Sequence, residues 1–327
     1  MLIKLIELIN RAIMQGIPLL FGSTGEIITE KSGNLNLGIP GIMYMGGCAG
    51  IMGAYIYENS VETPSAALCI IIPLICSLVG SGLLALIYSF LTITLRANQN
   101  VTGLAITTFG TGFGDFFGGS LTKLMGNNGS ISVKLSADYY KTALPFANDL
   151  GWFGKLFFSY GFLTYAAVII AVICAIFLCR TRAGLYLRAV GENPATADAA
   201  GINVTKYKYL ATVIGGMIAG LGGLYFIMDY TGGSWTNGGI GDRGWLAIAL
   251  VIFATWKPNM AIIGSFVFGG LYIAYSYTDG LGRASAAIFN MLPYVVTIVV
   301  LIITSIRNKK ENQPPQSLGL PYFREER

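Results

Sequence analysis

Apolar residues in this chain arrive in runs of roughly bilayer length, separated by short polar stretches. A helix needs about 20 consecutive apolar residues to cross the hydrocarbon core. Residues 2–24 carry charges only near their start and predict a first, partly amphipathic helix; Glu26, Glu30 and Lys31 form a polar patch after it. Leu35 to Tyr57 is apolar but broken by Gly38, Pro40, Gly41, Gly46, Gly47, Gly50 and Gly53. Ala66 to Leu95 is one long span that stops at Arg96. Val101 to Gly119 is apolar around Thr107, Thr108 and Asp115, and 120–154 is a polar loop with Asn127, Asn128, Asp138 and Asp149. Leu156 to Leu178 is an uninterrupted span. The polar, basic segment 180–208 follows, and then the Gly-rich span Leu210 to Met228. A glycine-rich loop, Asp229 to Gly244, leads to the short apolar piece Trp245 to Trp256; Ala261 to Tyr277 and Ile288 to Ile306 are the last spans.

Basic residues orient these runs. Cytoplasmic loops carry an excess of Lys and Arg, which puts 180–208 and the tail 307–327 inside. Alternation then places 120–154 outside, provided the short 245–256 piece crosses. Counting back gives about nine crossings and an external N-terminus, which one broken or re-entrant helix near the start would reverse. The expected fold is therefore all-α: a polytopic membrane helix bundle of 8–10 spans over residues 1–306. The tail, with Lys309, Lys310 and Pro314-Pro315, is expected to fray into the cytosol.

Two segments echo each other. Gly33-Asn34-Leu35-Asn36-Leu37-Gly38-Ile39-Pro40-Gly41 opens a glycine-broken helix in the first half, and Asn237-Gly238-Gly239-Ile240-Gly241 opens the short apolar piece in the second. Paired Gly/Pro-interrupted segments point to an internal pseudo-repeat and a pathway near the midplane. The plainer alternative is that glycine lets helices pack closely.

Composition narrows the class. Of 327 residues, 54% are hydrophobic and only 11% charged, against roughly 25% charged in soluble domains. The net charge of +5 lies largely in 180–208 and the tail, so it reflects orientation and not a nucleic-acid partner. Histidine is absent, which removes His-based acid–base catalysis and His–carboxylate metal sites. The five cysteines, Cys48, Cys69, Cys76, Cys174 and Cys179, form no C-x-x-C pair and read as small apolar packing residues. No catalytic, metal or cofactor site is expected. The N-terminus, with Lys4, Glu7 and Arg11, shows no signal-peptide cleavage pattern.

Chemistry concentrates in the break at 180–208. Asn193 is a strong N-cap residue. Pro194 suits the first helical position, where its missing N–H would be orphaned anyway. Ala195, Ala197, Ala199 and Ala200 favour helix, and Gly201 suits a left-handed C-cap. The pattern predicts about two turns of rigid helix, with Arg188, Glu192 and Asp198 at its rim. Its small side chains would let it seat in a groove on a partner; the alternative is an ordinary cytoplasmic loop with one helical turn.

Leu187-Arg188-Ala189-Val190-Gly191-Glu192-Asn193-Pro194 through Ala199-Ala200-Gly201-Ile202 closely resembles the cytoplasmic coupling motif of binding-protein-dependent ABC importer permeases, in the branch serving branched-chain amino acids, simple sugars and nucleosides. Gly25-Glu26-Ile27-Ile28-Thr29-Glu30-Lys31-Ser32-Gly33-Asn34-Leu35-Asn36-Leu37-Gly38 through Met43 is similar to the shorter permease of nucleoside importers, although Pro40 departs from the residues usual there. Trp245 to Leu250 with Trp256-Lys257-Pro258 is a third match, and the resemblance covers most of 20–300. It implies a coupling helix docked on a separate cytoplasmic ABC ATPase, a second, paralogous permease, an extracellular substrate-binding lipoprotein, and a bacterial plasma-membrane location. No G-x-x-x-x-G-K-[ST] phosphate loop occurs, and Gly154-Lys155 is followed by Leu156.

Polar groups within apolar spans are pathway candidates by default. They are Asn34, Asn36, Asn98, Asn100, Thr102, Asp115, Asn237 and Asn290. An amide both donates and accepts, which suits ribose hydroxyls or a base edge; capping and interhelical hydrogen bonds are the alternative for each. Tyr140, Trp152 and Tyr160 read as interfacial anchors. The expected function is a nucleoside-translocating ABC permease, with a sugar or branched-chain amino acid permease as its nearest rival. An ion-coupled secondary transporter is the rival from another class, resting on Asp115 alone.

Overall fold

The computed structural model describes residues 2–124, 131–145, 147, 149, 151–274, 283–307 and 312–324; Asn127, Asn128, Tyr277, Lys309 and Lys310, and the side chain of Asn290, lie outside the described residues. Thirteen α-helices account for the described structure: α1 (Leu2–Lys31), α2 (Ile39–Ser60), α3 (Ala66–Ser89), α4 (Gln99–Leu124), α5 (Lys134–Lys141), α6 (Gly151–Phe157), α7 (Phe162–Arg180), α8 (Arg182–Glu192), α9 (Pro194–Ala199), α10 (Val204–Tyr225), α11 (Arg243–Phe253), α12 (Pro258–Ile273) and α13 (Arg283–Arg307). α3 and α10 each run on into a π-helical turn, Phe90–Thr94 and Phe226–Tyr230.

Nine of these helices, α1 to α4, α7 and α10 to α13, run in alternation between two ends of one bundle. We call the end that carries α8, α9 and the tail the basic end, and the other the far end. The stretches Ile39–Ser60, Ala66–Thr94, Phe162–Arg180 and Val204–Tyr230 are long and apolar enough to cross a membrane on length and composition alone. The chain is a multi-pass, all-α membrane protein. α11 is shorter: its 11 residues rise about 16 Å, roughly half the hydrocarbon thickness. The loop before it reaches into the bundle, where Gly238 N–H meets Tyr44 OH and Asp115 Oδ1. Thr255 and Trp256, both at positive φ, then carry the chain out beside Glu30 at the basic end.

Glycine sets how closely the central helices cross. A Cβ on Gly223 would run into the carbonyl of Met43, one on Gly25 into the carbonyl of Gly215, and one on Gly41 into the backbone of Ile106 and Thr107. α1, α2 and α10 are accordingly well enclosed, while much of α3 and α7 turns large apolar side chains outward. The echoing segments open α2 and α11, and these helices meet at their second residues: a Cβ on Gly244 would strike Pro40.

Four expectations change. The first helix continues through Glu26 and Glu30 to Lys31, because both carboxylates are buried in the bundle and not solvated beyond it. The 120–154 stretch is not plain loop: it holds α5 and α6, and Val133 N–H bonds Gly233 O while Trp235 N–H bonds Ile131 O. Tyr140 and Tyr160 are buried structural donors and not anchors, bonding Ile70 O at 2.7 Å and Asn10 Oδ1 at 2.8 Å. Burial pushes both phenols above the ordinary range, so they stay protonated donors. Trp152 is exposed as an anchor would be.

The fourth change is the tail, which does not fray over residues 312–324. The Ser317 N–H and Oγ both donate to Gly191 O, and Gly319 N–H donates to Gly33 O. Lys257 Nζ reaches Asn312 Oδ1 at 2.8 Å. Further along, Phe323 lies under the guanidinium of Arg96, 4.5 Å from ring centroid to carbon. Gly33 leaves room for this strap, since a Cβ there would meet Ser317 Oγ, and Gly191 lets α8 approach the end of α1, since a Cβ there would strike Lys31 O.

Candidate functional site

At the basic end α8 and α9 form a bent pair. Thr181 caps α8 by accepting from Gly184 N–H at 3.0 Å. Asn193, with an extended backbone, caps α9 by accepting from Thr196 N–H at 3.0 Å, and Pro194 takes the first helical position. The far side of α9 closes as a Schellman motif: Ile202 N–H bonds Ala197 O and Gly201 N–H bonds Asp198 O, with Gly201 at φ +82°. Ala197 packs in an apolar cluster with Val190 and Val204. Glu192, Asn193, Ala199, Ala200 and Gly201 are exposed. The result is a short helix with fixed ends, a buried underside and an outer surface of mostly small side chains.

The rim residues do different work. Asp198 is held from below: Tyr322 OH donates to Oδ2 at 2.9 Å, and Arg324 Nε lies 3.2 Å from the same oxygen. Arg188 and Glu192 line a 700 Å³ cleft together with Lys31, Trp256 and Lys257. The Nε of Arg188 is buried without a hydrogen-bond partner.

Two polar clusters lie along the bundle. Near the basic end, Asn34 Nδ2 donates to Thr212 Oγ1 at 3.0 Å and to Thr92 Oγ1 at 3.4 Å, bridging α3 and α10. Asn36 accepts from Gly38 N–H at 2.9 Å, and its own N–H donates to Glu26 Oε1 at 3.0 Å. Trp256 Nε1 donates to Glu30 Oε2, and Gln99 Oε1 accepts from Leu35 N–H. All of these residues but the half-buried Leu35 are buried, yet Asn34 Oδ1, Asn36 Nδ2 and Glu26 Oε2 lack partners. Buried polar atoms are normally satisfied, so the turn that opens α2 holds unused capacity to donate and accept.

Deeper in the bundle, Tyr44 OH donates to Asp115 Oδ1, and Gly238 N–H donates to Tyr44 OH at 2.7 Å. Asn237 Oδ1 accepts from Trp235 Nε1 at 2.8 Å, and Asn237 Nδ2 points to Asp115 O at 3.5 Å. The Trp235 ring stands edge-on to Tyr44 at 5.2 Å and packs where a Cβ on Gly118 would be. Asp115 and Asn237, 122 residues apart, thus share one half-exposed cluster.

The remaining candidates separate from these clusters. Asn98 is exposed and caps α4 through Val101 N–H at 3.1 Å. Asn100 is exposed on the first turn of α4, Thr102 is buried one turn in, and Asn290 falls within α13. Sequence reasoning passed over Tyr44, Thr92, Thr212 and the pair Gln15–Arg243. Arg243 is buried, 7% exposed, with NH2 3.0 Å from Gln15 Oε1 and its guanidinium carbon 4.3 Å from the Phe226 ring centroid. The signal for Gln15 was present: an amide inside the apolar run of the first helix.

This is a transport architecture: a membrane bundle of alternating helices with polar clusters inside and a capped helix at one end, and a permease is the class it defines. The family model for the branched-chain amino acid transport system permease component matches residues 8–301, and the chain belongs to that family of ABC transporter permeases. It is 30% identical to the putative glucose ABC transporter permease protein TsgC13 of Haloferax volcanii, over 97% of this chain and 98% of that one. It is 30% identical to the guanosine ABC transporter permease protein NupQ of Bacillus subtilis, covering 95% and 94%. It is 29% identical to the nucleoside ABC transporter permease protein NupC of Lactococcus lactis, covering 88% of each.

Proposed function

We propose that this chain is one of two membrane subunits of an ABC importer for nucleosides, oriented with its basic end in the cytosol. A separate ATPase docks on α9, and a second, paralogous permease completes the pathway. An external binding protein delivers substrate to the far end, where α5, α6 and the 231–242 loop lie. The observation that carries the coupling role is the doubly closed helix α9, capped by Asn193 and ended by Gly201, with its underside packed on α8 and α10. A push on such a piece displaces the spans behind it and does not unwind the helix.

For the substrate, the cluster around Tyr44, Asp115 and Asn237 supports the nucleoside reading. Asp115 and Tyr44 can accept from and donate to ribose hydroxyls, Asn237 offers both functions of an amide, and Trp235 supplies an aromatic face. The unsatisfied atoms of Asn34 and Asn36 offer a second polar station nearer the basic end. Similarity to the guanosine and nucleoside permeases favours nucleoside, while similarity to the putative glucose permease keeps a sugar as the rival reading. Membership of an ABC permease family sets the ion-coupled reading aside. The test is ATPase stimulation in the reconstituted importer. Binding protein loaded with nucleoside should stimulate hydrolysis, and stimulation by a sugar-loaded protein alone rejects the nucleoside assignment.

A further inference from the structure

Beneath the tail strap lies a 780 Å³ cavity bounded by the end of α3, the start of α4, the turn after α9 and the first turns of α10. That volume is in the range of sites that enclose a small molecule, about 300–1,000 Å³. Arg96, Lys206, Lys208 and Arg324 line it, against the single carboxylate of Asp198. Asp198 is already engaged by Arg324 and Tyr322.

Lys208 is the decisive residue. It is 3% exposed, and among the described residues its ammonium makes no hydrogen bond and no ion pair. Its stem is enclosed and its ammonium ends at the wall of a cavity large enough for a counter-charge; a cation so enclosed is normally paired. A second observation points the same way. Arg96, whose left-handed backbone closes the helix before it as Ala97 N–H bonds Leu91 O, lines the same cavity with its guanidinium stacked on Phe323. Asn34 lines the inner wall, with its Oδ1 unsatisfied.

We infer that this cavity is a binding site for a phosphate-bearing anion, clasped by Lys208 and Arg96 under the C-terminal strap. A phosphate monoester and a phospholipid headgroup present the same chemistry to these cations, since both carry oxygens suited to charge-assisted hydrogen bonds. The site stands between the coupling helix and the span ends, so its occupancy stiffens the joint through which α9 acts. That it opens to the cytosol rests on the orientation proposed above; its affinity for the anion does not.

The test uses the full-length chain with its paired permease, without the ATPase, in nanodiscs of zwitterionic lipid. A nucleoside monophosphate is titrated by calorimetry in the presence of saturating free nucleoside, which occupies any transport site. The account expects saturable binding, weakened at least about 10-fold by Lys208→Gln or Arg96→Gln, as loss of a hydrogen bond to a charged group implies, and largely retained in Lys208→Arg. If the monophosphate does not bind, native mass spectrometry in phosphatidylglycerol nanodiscs should show retained lipid that either Gln variant loses, which assigns the site to a headgroup. Equal behaviour of wild type and both Gln variants toward both ligands overturns the inference. Thermal unfolding of each variant separates misfolding from loss of the site, and Lys208→Arg provides a folded comparison.

Discussion

The single residues that matter most here are those whose backbone has no substitute. Asn193 satisfies one orphan N–H of α9, and replacing such a cap with alanine costs about 1 kcal/mol. Asn193→Ala should leave the protein inserted at wild-type levels. Hydrogen exchange should accelerate at Thr196, and uptake by the assembled importer should fall severalfold. Unchanged exchange at Thr196 would show that the cap is not what holds the helix. Glycines give a matched pair. Gly223→Ala drives a methyl into the Met43 carbonyl, an overpacking that costs about 1–3 kcal/mol. Gly270→Ala meets only the Ala12 methyl at 3.7 Å and gains helix propensity of up to about 1 kcal/mol. Thermal unfolding in detergent should rank the two on opposite sides of wild type.

At the scale of elements, the spans and the capped helix were legible because their signals are local. Apolar run length marks a crossing, and Asn-Pro followed by Ala-Ala-Gly marks a short helix with both ends closed. What stayed illegible depends on partners far away in the chain. α5 buries Ser136, Ala137 and Tyr140, a face with too little apolar character to stand out from a polar loop. The clustering of Asp115 with Asn237, and of Gln15 with Arg243, is set by helix packing and leaves no trace in spacing. The tail reads as Pro-rich and charged, and only the carbonyls of Gly33 and Gly191 reveal that it has somewhere to bind. Truncation at residue 311 removes every one of those contacts. The shortened chain should still insert, since the bundle is untouched, but exchange protection should drop over 191–204 and around Gly33. Protection unchanged at both places would mean the strap adds nothing to the coupling region.

Across the whole molecule, the fold joins a bundle crossed tightly on glycine to one rigid appendage at its basic end. The polar clusters at Asn34 and at Tyr44–Asp115–Asn237 lie just before and just inside the N-terminal end of the same helix, α2, which α10 clasps through Gly46, Gly47, Gly220 and Gly223. α9 adjoins α10 through Asn203, which caps it, and Val204, which packs with Ala197, and α10 in turn packs on α2. The most direct check is a cross-link. A cysteine at Ala199, in a chain whose five native cysteines are replaced, should react with a maleimide only from the cytosolic side of right-side-out vesicles, and should cross-link to the ATPase subunit in the assembled transporter. Labelling from outside, or an assembled and active transporter in which position 199 never meets the ATPase, would contradict the account.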